Sequence, residues 1–425
     1  MSTIATDILH LGTSYDKLYG ADTLIYEKGT IPQNQIWYTT TDGVFTDLKS
    51  NYGYCFIYSD AGTTQAGYDD ELSKNNYGVW YFNNPVVQLS KTKVSSKSYM
   101  PFEKKTTLKT ITIPEGVSTL GEYCFADLEN LEEVKLPDSI TRIDTGCFSG
   151  DTKLKTVNIP NSIDTIPDCC FSNCNSLESI IIPYGVEYIE FGAFIDCTSL
   201  KSIVIPGSIK SIGGAGTFNP PDFTGQVFSG CTSLTDIIIE EGVEVIETEC
   251  FTHCPAVNLS LPNSLLKIMS EGGSVYSQGT FDYTQFETIT IPENVIYIEC
   301  GIYNYDAMIN NNPNLKKIIW NVKSNTNVFK DNCVYGIVDS DIVSQLTELE
   351  FGEKVTYIPS LYYGTGGTNV TTIISHAKTA PTLMGVVFKT HTGVSKTGTL
   401  HIPEGSDYSS WLTVLGNGWS VAYDA

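Results

Sequence analysis

From Thr106 onward, apolar and polar residues alternate in short runs that return at a fixed interval. The chain reads TTLKTITIPEGVSTLGEYCFADL, then ENLEEVKLPDSITRIDTGCFSGD, then TKLKTVNIPNSIDTIPDCCFSNC, then NSLESIIIPYGVEYIEFGAFIDC. Leu108, Leu131, Leu154, Leu177 and Leu200 stand 23 residues apart. The pattern continues with insertions through Leu234, Val257, Phe286, Leu315, Leu346 and Val370, giving about ten rungs. Within a rung the frame is L-x-x-I-x-I-P, a turn, V-x-x-I, and an aromatic-containing bend. Ile111 and Ile113 alternate with Thr110 and Thr112, the period-two pattern of a short strand with one buried face. Pro114, Pro137, Pro160, Pro183, Pro206, Pro262 and Pro292 follow such runs and close each strand at the same height, because proline has no N–H for the ladder. One unit cannot bury its own apolar side. Stacked units can, which predicts parallel strands ~4.8 Å apart along a repeat array.

These residues resemble the BspA-like (treponemal-type) leucine-rich repeats of bacterial surface proteins, over 106 to 370. The resemblance implies a β-rich leucine-rich-repeat solenoid of short parallel strands, about ten 23-residue rungs, with N- and C-terminal caps. NQIWYTTTDG, residues 34 to 43, is similar to the opening strand of such proteins, and residues 375 to 425 are similar to their closing segment. The expected division is 1–33 as a non-repeat segment, 34–105 as cap and degenerate first rungs, 106–374 as the array and 375–425 as the closing cap. Residues 52 to 81 hold Tyr52, Tyr54, Phe56, Tyr58, Tyr68, Tyr77, Trp80 and Tyr81. Burial over the open array end accounts for them better than a sugar-stacking platform. The family implies recognition of a protein or surface and does not imply catalysis. The first 30 residues are similar to short strand units near the start of phage structural proteins in gut bacteria, which implies a rival role as a virion-associated component.

Composition narrows the partners. With 41% hydrophobic and 11% aromatic residues the 425-residue chain can bury a core. Its formal charge of −23, from 48 acids against 25 bases, repels phosphate backbones and anionic lipid, so no nucleic-acid partner is expected. No apolar run approaches the ~20 residues that span a bilayer. The start, MSTIATDILHLGTSYDKLYG, has neither a basic n-region nor an apolar h-region, so no secretory signal is expected as written. A cell-surface or secreted location then needs another export route or a leader already removed; a virion location needs neither.

Twelve cysteines look like chemistry at first, with Cys147, Cys169, Cys170 and Cys174 close together. The repeat disperses them. Cys124, Cys147, Cys170 and Cys250 share one position, each before a phenylalanine; Ala193 takes that slot ahead of Phe194. Cys174, Cys197, Cys231 and Cys254 share a second, before Leu177, Leu200, Leu234 and Val257. Two columns of small buried residues suit free thiols. Stacking could also bring some pairs within disulfide range. A zinc site would need four convergent ligands, and no matching histidine pair exists. Cys169, Cys55, Cys300 and Cys333 fall outside the columns and are expected to be more exposed.

Catalytic and cofactor signals are absent. His10, His376, His391 and His401 lie toward the two ends, and His253 sits in a bend. No nucleophile elbow, P-loop or zincin motif occurs. GTGGT at 364–368 reads as a flexible turn, DSD at 339–341 as solvated loop, and Glu240 beside Glu241 as ordinary acidic surface. No cofactor, no metal and no enzyme activity are expected; a glycan hydrolase on this scaffold is a third and distant reading.

Two surface features remain. The second outward strand position reads Thr112, Lys135, Asn158, Ile181, Val204, Ile238, Ser260, Thr290 and Ile319 down the rungs. Ile181, Val204 and Ile238 form an apolar strip, either because β-branched residues suit strands or because the strip meets a partner. Insertions at 213–225, 270–279 and 300–311 follow the second isoleucine of V-x-x-I and should emerge on one side, carrying Phe218, Phe223, Tyr276, Tyr303 and Tyr305. Unconstrained loop drift would produce the same insertions. These eight residues are the candidate contacts for a protein or glycan ligand.

Overall fold

The computed structural model describes the backbone of strands 17–20 and 23–27 and most of 31–424. Residues 49–56, 59–64, 215–224, 271–277, 300–306, 324–327, 330–336, 339–341, 360–368 and 384–396, with some single residues and pairs, lie outside the described residues. The chain divides into two compact units, Met1–Val186 with Ala193–Leu200, and Glu187–Gly192 with Lys201–Ala425.

In the first unit a sheet is built from β1 (Gln35–Thr40), β2 (Val79–Phe82), β3 (Leu108–Thr112), β4 (Glu133–Lys135) and β5 (Thr156–Val157). β3, β4 and β5 run parallel, with Ile111 opposite Val134 and Val134 opposite Val157. The inward residues therefore stack on one another, as the 23-residue spacing requires. A second parallel ladder joins Gln88–Leu89, Thr119–Leu120 and Arg142–Ile143, burying Leu89, Leu120 and Ile143. β1 lies antiparallel to both β3 and β2 and covers the edge that the first rung would leave open.

The bends are held by an aromatic column. Phe102, Phe125, Phe148, Phe171 and Phe194 stack face to face at centroid distances of 5.0, 5.1, 5.2 and 5.3 Å. Backbone bonds reinforce it: the N–H of Phe125, Phe148 and Phe171 each donates to the carbonyl one rung on, at Cys147, Cys170 and Ala193. The column reaches into the cap, where Trp80 stacks on Phe102 at 5.8 Å and Tyr38 on Trp80 at 3.9 Å. Trp80 and Phe82 are buried. Among the aromatic residues between 52 and 81, Tyr52, Tyr54, Phe56 and Tyr77 lie outside the described residues, while Tyr68 and Tyr81 are half-buried.

The second unit repeats the plan. β6 (Ser202–Ile205), β7 (Asp236–Ile239) and β8 (Asn258–Ser260) are parallel. β9 (Thr288–Ile291), β10 (Lys317–Trp320), β11 (Glu348–Phe351), β12 (Thr372–Ser375), β13 (Gly398–Pro403) and β14 (Trp419–Asp424) form a six-stranded parallel sheet. Phe228, Phe251 and Phe281 stack at 5.6 and 5.9 Å. The closing segment packs through α1 (Ser409–Leu415), whose Trp411 is buried edge-on to Phe351 and donates Nε1–H to the Pro381 carbonyl at 2.9 Å.

One expected anchor is displaced. Val257 is 50% exposed, whereas Ala256 is buried. The register of Ile237 opposite Leu259 puts Ala256 in the column of Leu234. That rung is one residue shorter than the repeat, and Val257 is pushed to the surface.

The structure also explains why Cys169 leaves the cysteine columns. The successive bends from Tyr123 to Asp196 use two left-handed backbone positions four residues apart. Tyr123, Gly146 and Cys169 occupy the first at φ 53°, 63° and 52°; Asp127, Gly150, Asn173 and Asp196 occupy the second at 60°, 81°, 60° and 58°. A Cβ on Gly146 would come within 2.3 Å of the Tyr123 ring, so glycine is required there for space as well as for φ. Cys169 bears the left-handed strain of a non-glycine residue. Cys169→Gly is expected to raise stability by up to ~1 kcal/mol, since strain relief of ~1–2 kcal/mol exceeds the added unfolded-state entropy. Urea unfolding of the two proteins checks this.

Candidate functional site

The thiol columns are built for burial. Cys124, Cys147, Cys170, Cys174, Cys197, Cys231, Cys250 and Cys254 are all buried, as thiols rather than disulfides. Burial pushes the Cys147, Cys170 and Cys174 thiols well above the ordinary range, which keeps them protonated and poor nucleophiles. The second column does more than fill space. Cys174, Cys197 and Cys254 donate S–H to the carbonyls of Phe148, Phe171 and Phe228, each 26 residues back, at 3.2, 3.1 and 3.0 Å. Each of these carbonyls also accepts a backbone N–H, from Asp151, Cys174 and Cys231 at 3.3, 3.2 and 3.1 Å, so the thiol occupies its second lone pair. Cys169 is half-buried; Cys55, Cys300 and Cys333 lie outside the described residues.

Among the described residues, no three His, Cys, Asp or Glu side chains gather as a metal would require. The described histidines take structural places: His253 stacks on Tyr283 at 4.1 Å, His376 meets Glu350 at 2.9 Å, and His401 meets Asp424 at 3.3 Å. Glu240 and Glu241 serve the backbone. Glu240 accepts the Gly207 N–H at 3.2 Å, and Glu241 accepts those of Asn263 and Ser264 at 2.9 and 3.0 Å. Hydrogen bonds from Asn263 hold the Glu241 carboxyl below its ordinary range. The pair tethers turns, each carboxylate holding a different stretch of backbone. GTGGT, DSD, His10 and His391 lie outside the described residues.

Two carboxyls are perturbed upward. Asp151 is buried; its Oδ1 accepts the Leu128 N–H at 2.8 Å and its Oδ2 has no hydrogen-bond partner among the described residues, so burial raises its pKa well above the usual carboxylate value. It stands in the column that Cys174 and Cys197 continue. Glu247 is half-buried, and burial, then the neighbouring Glu299, pushes it up to about 7. Both positions are accounted for by packing within the rungs.

The outward strand face carries the exposed apolar residues. In the second unit Val204 lies opposite Ile238 on β6 and β7, and Ile238 opposite Ser260 on β8. Val204 and Ile238 are 46% and 56% exposed. In the first unit Ile181, at the equivalent position of its rung, is 84% exposed, and Tyr184 beside it is 70% exposed. The insertions leave one ladder of the second unit, in which Ser211–Ile212, Lys267–Ile268 and Tyr297–Ile298 are parallel. Their described bases include a Gly225 N–H to Gly213 carbonyl bond at 3.1 Å and a Ser270–Thr280 hydroxyl contact at 3.0 Å. Phe218, Phe223, Tyr276, Tyr303 and Tyr305 lie outside the described residues.

A model of the BspA type leucine-rich repeat region matches six copies over residues 96–219 and 222–334, more than half of the chain. The chain belongs to the BspA-type leucine-rich repeat family. Its fold is the β-rich leucine-rich-repeat solenoid that the resemblance implies. Solved structures similar to it include a leucine-rich repeat protein of Bacteroides ovatus, at 17% identity over 80% of this chain and 92% of that one, with a TM-score of 0.36. A leucine-rich cell surface protein of Faecalibacterium prausnitzii matches at 15% identity over 80% and 93%, with a TM-score of 0.31. The leucine-rich repeat protein of T. pallidum matches at 25% identity over 40% of this chain and 71% of that one, with a TM-score of 0.33. No curated protein matches. Family membership fits an interaction or surface role. No helix among the described residues is long and apolar enough to cross a membrane.

Proposed function

We propose that this BspA-type repeat protein is a non-enzymatic recognition protein that presents its strand face to a protein or glycan partner at a cell surface. The observation that supports this reading most is the pairing of exposed Val204 and Ile238 on adjacent strands, with polar Ser260 next in register. Side chains as apolar as these gain from leaving water, and neighbouring strands let one partner cover both. Rigid rungs behind them keep the patch pre-organised, so little entropy is lost on docking. Ile181, in the first unit, and the aromatic residues of the insertions are proposed as further contacts in their own right.

The test pans a random peptide display library and a glycan array in parallel against the whole chain. Binders are expected whose affinity falls at least tenfold in the Val204→Lys, Ile238→Lys double variant while its melting temperature is unchanged. Enrichment of nothing in either screen would sink the recognition reading; enriched binders indifferent to the double variant would move the site elsewhere.

A further inference from the structure

The first unit contains a break in its sheet that the repeat does not explain. β4 and β5 are joined in the ordinary way, with the Lys155 N–H donating to the Glu132 carbonyl at 2.9 Å. One rung further on, among the described residues, no backbone hydrogen bond joins residues 179–182 to 156–159, and residues 179–182 form no strand. Asn158 has already turned its side chain to the preceding rung, accepting the Leu136 N–H at 2.9 Å and donating to the Leu136 carbonyl at 2.8 Å. Behind the break the rungs stay closed. Phe148 and Phe171 stack at 5.2 Å, and the Gly150 N–H reaches the Ser172 carbonyl at 2.8 Å. The opening is therefore confined to the strand face. There it forms a shallow groove of about 580 Å³ lined by Lys135, Asn158, Asn161, Ser179, Ile181 and Pro183, among others.

Unpaired main-chain groups beside a groove, with a nearly bare isoleucine at its rim, ask for a particular kind of occupant. A main chain in extended form offers donors and acceptors at the spacing of a strand, and its alternate side chains can rest on Ile181 and Pro183. Charge selects further. Glu133 and Lys135 in the groove neutralise each other at 3.4 Å, so the field of the chain, at formal −23, governs the approach and draws in cationic segments.

We propose that this groove binds an extended, basic peptide segment of a protein partner, whose backbone supplies hydrogen bonds the sheet lacks between residues 156–159 and 179–182. This rests on the recognition reading above and names the partner chemistry for the first unit.

The experiment titrates a fluorescent, terminally blocked (Lys-Val)4 peptide with the whole chain at 150 mM salt and reads anisotropy. Three comparisons accompany it: the same peptide N-methylated at alternate amides, (Glu-Val)4, and the variants Ile181→Ser and Ile296→Ser. Ile296 is an exposed residue of the second unit and serves as the remote control. The proposal expects saturable binding of (Lys-Val)4, weakened at least tenfold by N-methylation and by Ile181→Ser, unchanged by Ile296→Ser, and absent for (Glu-Val)4. Failure of (Lys-Val)4 to bind overturns it. So does equal binding by the N-methylated peptide, which would reduce the attraction to charge alone. If either occurs while the display screen still yields binders, the groove assignment fails and the recognition reading stands.

Discussion

Truncating Phe148 to alanine is expected to destabilise the first unit by ~3–5 kcal/mol, among the largest effects of any single core substitution. The ring is fully buried between Phe125 at 5.1 Å and Phe171 at 5.2 Å. Its removal costs transfer energy, leaves a cavity, and takes away two stacking contacts worth ~0.5–1.5 kcal/mol each. The neighbours cannot collapse into the space, because bonds such as Phe148 N–H to the Cys170 carbonyl fix the rung height. Phe148→Leu fills much of the cavity and should cost less, ~1–2 kcal/mol. Urea unfolding followed by tryptophan fluorescence checks both, since Trp80 stands at the head of the same column. Equal costs for the two variants would mean that volume and stacking at this position do not set stability. In a repeat array each rung is supported by its neighbours, so the alanine variant should also make the unfolding less cooperative.

The second large effect is on pH. Glu247 has an ordinary value of 4.5 raised to about 7 in the fold, by burial first and Glu299 second. A carboxyl so raised keeps its proton in the folded chain after the unfolded chain has lost it. Its favourable balance is therefore complete below about pH 4.5 and is lost as pH rises toward 7. Full ionisation would cost up to ~3 kcal/mol, and ~2 kcal/mol is expected once partial solvent access is discounted. Asp151 acts in the same direction, its buried carboxyl staying protonated as pH rises past the usual carboxylate range. Surface carboxylates act oppositely. Glu350, held down by Lys317 and His376 against its own burial, contributes stability above its unfolded value and loses it as pH falls. Comparing Glu247→Gln with the parent from pH 4 to 8 separates these effects. The variant should be ~2 kcal/mol more stable at pH 8 and nearly equal at pH 4. A constant difference across that range would show that Glu247 does not titrate in the fold.

The repeat was legible because stacking forces chemistry to recur. Each inward residue must meet another apolar side chain one rung away, so period, strand positions and buried columns stand in the sequence as plain spacing. The cysteine columns were legible for the same reason, yet their bonds were not. That Cys174, Cys197 and Cys254 donate to phenylalanine carbonyls follows from how the bend orients those carbonyls, which spacing does not express. Cys169 falls outside the cysteine columns in sequence, and its left-handed φ places it in a column with Tyr123 and Gly146, a conformational class shared by three unlike residues. Val257 is apolar and near the anchor position in sequence, yet the shorter rung gives that role to Ala256.

The candidate site divides along the same line. Exposure of Val204 and Ile238 follows from strand alternation, which the sequence states directly. By itself, then, the sequence determined the family, the period, the inward and outward faces, and the thiols as core residues. Only the tertiary structure decided that Asp151 and Glu247 are perturbed, that Glu240 and Glu241 hold turns, and that the sheet opens beside Ile181. Those properties depend on what lies one rung away and at what distance, and a stacked array sets that through backbone geometry that no single rung's sequence contains.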